Sequence, residues 1–188
     1  MTLILTKDTP LSLVKENIDN VTKEITTEPL KQVIVGAGWS SSGNGSKNPD
    51  LDLIISTNNR NEICFFNNLK LFGGTIQHSG DSRTGEGDGD DETIFVDLEK
   101  LPTNVTTLEV ALSSYNGFNF SQIQDEYISI TDAVSKIRLA KSKDNLSGSG
   151  QTLILAIIVK EDGVWTVNLV NKITAHTCSE YLRTKGDF

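Results

Sequence analysis

Apolar and polar residues alternate in short segments along much of this chain, which is the pattern of strands whose two faces meet different surroundings. In Thr106–Ser113, the residues Leu108, Val110 and Leu112 fall on one face of such a strand. Further strands are predicted at Lys31–Trp39, Asp50–Ser56, Glu62–Phe66, Thr93–Leu98, Glu126–Thr131, Lys136–Ala140, Thr152–Lys160 and Val164–Asn171. Lys31–Trp39 is expected to end in a corner, because it carries two glycines.

Turn signals separate these strands. Asp162-Gly163 lies between two β-rich segments and is the strongest hairpin signal in the chain. Ser40–Pro49 and Asp144–Gly150 have the composition of loops. About nine or ten short strands without a long helical period predict an all-β fold, a single β-sandwich domain over residues 1–173. Thr174–Phe188 shows no clear pattern and is expected to form a loose or helical C-terminal tail.

Composition narrows the partners and the location that we expect. The 188 residues carry a formal net charge of −8 with a pI near 4.7, which argues against nucleic acid or an anionic membrane as a partner. The N-terminus lacks the apolar core of a secretory signal, and the longest apolar segment, Leu153–Val159, is too short to span a bilayer. Cys64 and Cys178 do not make a disulfide framework, and Cys64 is expected to be buried. We expect a cytoplasmic protein without direct membrane insertion.

The most unusual segment is Gly80–Glu92, with the sequence GDSRTGEGDGDDE. Its six carboxylates and one arginine give a formal charge of about −5, out of −8 for the whole chain. Carboxylates this close repel one another, so a loop that holds them together usually requires a cation. Oxygen ligands on a glycine-containing backbone suit Ca²⁺ better than zinc or copper. Asp50 and Asp52 start a predicted strand and point to one face, and Asn67 and Asn68 add amide oxygens nearby.

The acidic segment does not have the spacing of an EF-hand. An EF-hand starting at Asp81 would place Arg83 and Gly85 where oxygen ligands are required. One starting at Asp88 would place Thr93 where the loop requires glycine. An EF-hand is therefore excluded, whereas a solvated acidic loop without any ion stays open on composition alone.

Several motifs resemble one known family. The string from His78 to Pro102 is very similar to the signature of the TerD family of tellurium-resistance and stress proteins. Further resemblances lie at Val35–Trp39 (VGAGW), Asp50–Ser56 (DLDLIIS), Cys64–Asn68 (CFFNN), Asn119–Ile123 (NFSQI) and Asp162–Trp165 (DGVW). Together these motifs cover about residues 30 to 170.

The resemblance implies a β-sandwich that binds calcium through acidic loops and has no established catalytic activity. On the matching positions it implies the metal ligands Asp50, Asp52, Asn67, Asn68, Asp81, Glu86, Asp88, Asp90, Asp91 and Glu92. This set exceeds the roughly six to eight oxygens that one Ca²⁺ takes, so two adjacent ions are expected. Arg83 is expected to tie the loop together through its carboxylates.

These observations predict a non-enzymatic stress-response protein of the TerD type. Calcium would order the acidic loop and control stability or binding to other proteins of a stress-response complex. No catalytic residue is predicted. Two alternatives stay open: an interaction module, for instance a phage-borne one, in which calcium is purely structural, and a hydrolase that uses bound calcium and a water. His78 beside the loop is interpreted as a supporting or surface residue rather than a ligand or base.

Overall fold

A computed structural model describes residues 3–5, 11–12, 14–18, 25–29, 31–41, 48–136, 138–142 and 148–186. The strands are β1 Leu3–Leu5, β2 Leu11–Ser12, β3 Val14–Ile18, β4 Ile25–Pro29, β5 Gln32–Ser41, β6 Leu51–Thr57, β7 Ile63–Cys64, β8 Lys70–Leu71, β9 Ile76–His78, β10 Glu92–Asp97, β11 Thr107–Ser114, β12 Ile123–Asp132, β13 Arg138–Ser142, β14 Thr152–Glu161 and β15 Val164–Thr174. An α-helix, α1, spans Cys178–Lys185. The loops predicted at Ser40–Pro49 and Asp144–Gly150 fall largely outside the described residues.

The strands form two sheets that pack face to face. The seven-stranded sheet has the order β1-β13-β12-β5-β10-β9-β8, and the six-stranded sheet has the order β2-β15-β14-β11-β6-β7. β3 and β4 make a separate antiparallel pair. The two large sheets enclose one hydrophobic core, which confirms the predicted β-sandwich.

Strand alternation produces this core. Val33 and Val35 of β5 face Leu53 of β6 and Leu108 and Val110 of β11, and each of these side chains is at most 1% exposed. Burial of one such side chain contributes about 1.5–3 kcal/mol to the free energy of unfolding. The predicted alternation of β11 and the predicted burial of Cys64 are confirmed, and both tryptophans are buried as well.

Helix α1 covers the outer face of the six-stranded sheet. Thr177 caps its N-terminus in a capping box with Glu180, which satisfies backbone donors that the helix leaves unpaired. The buried face of the helix packs against outward-facing residues of β6, β7 and β11. This second cluster consists of Ile54, Ile63, Phe65, Ala111, Cys178, Tyr181 and Leu182. Both faces of β6 are therefore buried, which explains the apolar run Leu53–Ile55 within it.

Strand β5 corrects one expectation from the sequence. The predicted corner is wrong, because β5 continues through Gly36 and Gly38 and pairs with β10 and β12 on both sides. Neither glycine has a positive φ, so conformational freedom does not explain their presence. Their role depends instead on the acidic loop, which lies against this part of β5.

Two other segments differ in how well the sequence predicts them. The turn between β14 and β15 has positive φ at both Asp162 (48°) and Gly163 (83°), which is the backbone of the predicted tight hairpin. The segment Asn67–Gly74 shows no strand pattern in sequence, but it contains the short edge strand β8, and β9 follows it. No helix among the described residues is long and apolar enough to cross a membrane. The cytoplasmic location stays a prediction.

Candidate metal centre

Three of the predicted ligands converge at one end of the sandwich. Asp50 and Asp52 flank the first residue of β6, so strand alternation points both to the same side. Asp81 comes from the acidic loop, and one carboxylate oxygen from each of the three lies within 4.8 Å of the others. Asp52 is only 1% exposed, Asp50 is half-buried and Asp81 is exposed. A cavity of about 190 Å³ opens above them.

The cluster is electrostatically strained without a cation. Burial, followed by the nearby carboxylates of Glu92 and Asp50, raises the pKa of Asp52 to about 8. Burial and the charge of Asp81 also raise the pKa of Asp50, against the opposing effect of Arg83. The Oδ1 atom of Asp50 is buried and has no hydrogen-bond partner. A divalent cation would supply the charge and the oxygen contact that this arrangement lacks.

Glu92 is the buried carboxylate next to the cluster. Its side chain is fully buried, its Oε2 accepts a hydrogen bond from the backbone N–H of Leu53 at 2.7 Å, and its Oε1 accepts one from Ser82 at 3.0 Å. It therefore joins β10, β6 and the acidic loop. Its carboxylate oxygens are used by backbone donors, and its charge contributes to the raised pKa of Asp52.

His78 packs beside Glu92 and contacts the same part of β6. The backbone N–H of Gly80 donates to its Nδ1 at 3.1 Å, so Nδ1 carries a lone pair and the proton resides on Nε2. Nε2 lies 3.1 Å from the carbonyl oxygen of Leu53 and 3.4 Å from Glu92 Oε2. Because both nitrogens are engaged and the side chain is buried, the ring is a positioning group under the loop.

The structure places the remaining predicted ligands elsewhere. Asp90 and Asp91 turn toward the seven-stranded sheet, where Tyr127 and the backbone N–H of Trp39 respectively donate to them. Glu86 is exposed and accepts a hydrogen bond from Asn48. The other three are Asp88 and Asn67, which are exposed, and Asn68, whose amide donates to the carbonyl oxygen of Ile63 at 2.7 Å. The ligand roles of these residues stay predictions.

Two neighbours of the cluster are not predicted from the sequence, and a third, Arg83, is. Phe66 and Tyr115 line the cavity together with Arg83. Tyr115 directly follows β11, and its backbone N–H donates to the carbonyl oxygen of Asp50 at 2.9 Å. Only the pairing of β11 with β6 brings it there, and no local signal predicts that contact. Arg83 donates to Asp81 at 3.0 Å, which is the predicted tie through a carboxylate.

Comparison with known protein families gives a match over nearly the whole chain. The TerD domain profile matches residues 1–183. The chain belongs to the TerD family. The match includes most of α1, beyond the region in which the sequence motifs resemble the family.

Relatives of this TerD-family chain have names connected with resistance and stress. Tellurium resistance protein TerZ of Serratia marcescens is 32% identical over 168 residues, covering 82% of this chain and 86% of the relative. Stress response protein SCP2 of Bacillus subtilis (strain 168) is 32% identical over 171 residues, covering 79% and 85%. A crystal structure of a homologue of the telluride resistance protein TerD, from Streptomyces coelicolor A3(2), has a TM-score of 0.69 at 21% identity, covering 81% of this chain and 95% of that one. At that identity it supports the fold alone.

Proposed function

We propose that this TerD-family protein is a non-enzymatic calcium-binding protein of the stress response, in which Ca²⁺ bound at the carboxylate cluster orders the acidic loop. The observation that carries the proposal is the convergence of Asp50, Asp52 and Asp81 within 4.8 Å, with a buried Asp50 oxygen that has no partner. Three carboxylates can supply a large part of the oxygen shell of Ca²⁺, and water can complete it.

The family supports the physiological part of the proposal. Relatives that match most of the chain are named as tellurium resistance and stress response proteins. Calcium would act here by neutralising the loop and fixing it against β6, which couples calcium level to stability and to binding of protein partners. The expected number of ions is two, and the described cluster would hold one of them.

The first experiment measures calcium binding directly. Isothermal titration calorimetry of demetallated protein should give saturable heat, and excess Ca²⁺ should raise the melting temperature. At 100 times the Kd, the expected gain of about 2.7 kcal/mol corresponds to about 5–10 °C for a chain of this size. A melt that changes with neither EGTA nor added Ca²⁺ contradicts the proposal.

A pair of variants locates the site. Asp81→Asn should weaken calcium binding about 10- to 100-fold, because an interaction with an ionised oxygen contributes about 1.5–3 kcal/mol. Glu161→Gln also removes one negative charge, but from an exposed hairpin position far along the chain. It should leave the affinity unchanged. Equal weakening in both variants would indicate a general charge effect rather than a site.

A second candidate function, an interaction module with structural calcium, is favoured by the surface beside the cluster. Phe66, Tyr115, Cys178 and Leu182 line an adjoining cavity of about 240 Å³, and Tyr115 is 62% exposed. Size-exclusion chromatography of the protein in EGTA and in Ca²⁺, alone and in cell extract, distinguishes the two functions. Assembly that forms in Ca²⁺ and is lost in EGTA would favour the interaction module.

A further inference from the structure

The acidic loop lies across the outer face of the seven-stranded sheet, on two positions of β5 that have no side chain. A Cβ atom at Gly36 would lie 2.2 Å from the Oδ2 atom of Asp90. One at Gly38 would lie 2.7 Å from the carbonyl oxygen of Gly89. Both distances are impossible for real atoms, and neither glycine has a positive φ. The two glycines therefore provide space for the loop.

Asp90 fills this space and is held there by side chains of two other strands. Its Oδ1 accepts hydrogen bonds from Tyr127 Oη at 2.9 Å and from Ser129 Oγ at 3.2 Å, both on β12. The guanidinium of Arg138 on β13 approaches the same oxygen at 3.4 Å. Three donors on one oxygen hold this carboxylate against the sheet, and its Oδ2 lies over Gly36, so the group is turned toward β5 and β12 rather than toward the carboxylate cluster.

The next residue fastens the loop to β5 itself. The backbone N–H of Asp91 donates to the carbonyl oxygen of Ala37 at 2.8 Å, and Asp91 Oδ2 accepts a hydrogen bond from the backbone N–H of Trp39 at 2.9 Å. The Trp39 indole donates to the carbonyl oxygen of Pro49 at 3.1 Å, directly before Asp50. A Cβ atom at Gly85 would lie 2.3 Å from that indole nitrogen. Trp39 thus contacts both segments that supply the carboxylate cluster, namely the acidic loop and the residues directly before Asp50.

We propose that Asp90, seated on Gly36, is a positioning residue that anchors the acidic loop and thereby sets its calcium affinity, rather than a ligand. This inference rests on the proposed function for the ion. An anchored loop presents Asp81 near its binding position, so less conformational entropy is lost when the ion binds. Release of the anchor should weaken binding without changing the number of ions bound.

The affinity test uses a double-mutant cycle. Asp90→Ala should weaken calcium binding about 5- to 30-fold at unchanged stoichiometry, the range expected for lost charge-assisted hydrogen bonds. Gly36→Ala should have a similar effect, because its methyl group displaces the Asp90 carboxylate. The double variant should bind no more weakly than Asp90→Ala, since that substitution removes the atoms with which the methyl group clashes. Glu161→Ala, which removes one carboxylate at an exposed position of the β14–β15 hairpin, should leave the affinity nearly unchanged.

A second readout reports on the anchor without any ion. In EGTA, limited trypsin cleavage after Arg83, identified by fragment mass, reports how often the loop opens. Cleavage there should be faster in Asp90→Ala and Gly36→Ala than in the parent protein or in Glu161→Ala. If the parent binds no Ca²⁺ but cleavage responds in this way, the proposed function fails while the anchor stands.

Two results would overturn the inference. Loss of one bound ion in Asp90→Ala, with unchanged cleavage, would make Asp90 a ligand. Additive effects of Gly36→Ala and Asp90→Ala on affinity would separate the glycine from the carboxylate. A melting temperature in EGTA that stays within a few degrees of the parent value distinguishes loop release from general unfolding of the variants.

Discussion

Asp52 is buried among carboxylates. The groups that raise its pKa are Glu92, Asp50 and Asp81, added to the effect of burial, whereas the thiol of Cys178 donates a weak hydrogen bond at 3.6 Å that opposes them. Burial of a carboxylate without a nearby cation costs stability in the ion-free protein. The carboxylate of Asp52 therefore lowers the stability of the ion-free protein, whereas under the proposed function it is a ligand for the cation.

Replacement of Asp52 by asparagine should stabilise the ion-free protein and reduce its stabilisation by Ca²⁺. Asp52→Asn keeps the side-chain shape and removes the charge, so the ion-free protein should melt about 2–8 °C higher, the shift that ~1–2 kcal/mol produces in a chain of this size. The same variant should lose most of the stabilisation by Ca²⁺. Thermal melts in EGTA and in Ca²⁺ measure both effects.

The gain from Asp52→Asn should depend on pH with a definite sign. The folded-state pKa is raised to about 8, whereas an unfolded aspartate titrates near its ordinary value of about 3.9. Between these values the unfolded chain releases a proton that the folded chain retains, so the parent protein loses stability as pH rises. The advantage of the variant should grow from about pH 4 to pH 8. An advantage that shrinks with pH would contradict the raised pKa.

Residue-scale prediction worked where a local rule sufficed. The period of two along a strand places Asp50 and Asp52 on one side, and this juxtaposition follows from sequence alone. The direction of Asp90 does not, because it depends on donors from Tyr127 and Arg138, which lie 37 and 48 positions further along the chain. A run of acidic residues contains no local information about which members turn toward a sheet and which toward an ion.

At the scale of elements, α1 is fixed to the six-stranded sheet by more than apolar contact. Tyr181 is 1% exposed, and its hydroxyl donates to Glu109 Oε1 at 2.6 Å. Lys185 at the end of the helix forms an ion pair with the same carboxylate. The polar residue Glu109 of β11 is thus covered and satisfied by the helix, which accounts for a charged side chain on that face of the strand.

Truncation of Tyr181 tests this attachment. Tyr181→Ala should lower the free energy of unfolding by about 3–5 kcal/mol, as expected for loss of a buried aromatic ring. Arg183→Ala, at an exposed position of the same helix, should change it by less than about 0.5 kcal/mol. Urea unfolding curves compare the two variants. A small effect at Tyr181 would show that the helix contributes little to the fold.

The elements differ in how far the sequence predicts them. The β14–β15 hairpin follows from alternation and one Asp-Gly turn, and both turn residues have the required positive φ. The sequence predicts a bend in β5 because glycine usually signals a turn. Its glycines instead leave room for a loop that is distant in sequence, as the contact between Gly36 and Asp90 shows. Spacing alone cannot separate these two uses of glycine.

On the scale of the whole molecule, the acidic loop connects the two sheets. Its beginning meets the start of β6 through Asp81, and the backbone N–H of Ser82 donates to Glu92 of β10, whereas its end is bonded to β12 and β13 through Asp90. Glu92 then links β10 to the backbone of Leu53. A change in the position of the loop at the cluster therefore alters contacts with both sheets of the sandwich.

Trp39 gives the protein an optical reporter of that change. Its indole is 4% exposed and packs against Gly85 of the loop, while Trp165, the other tryptophan of the chain, lies at the β14–β15 hairpin. In Trp165→Phe the fluorescence comes from Trp39 alone. Departure of the loop should admit water to the indole and shift its emission to longer wavelength, and Ca²⁺ should restore the shorter wavelength. Emission that is identical in EGTA, in Ca²⁺ and in Asp90→Ala would mean that the loop stays seated throughout.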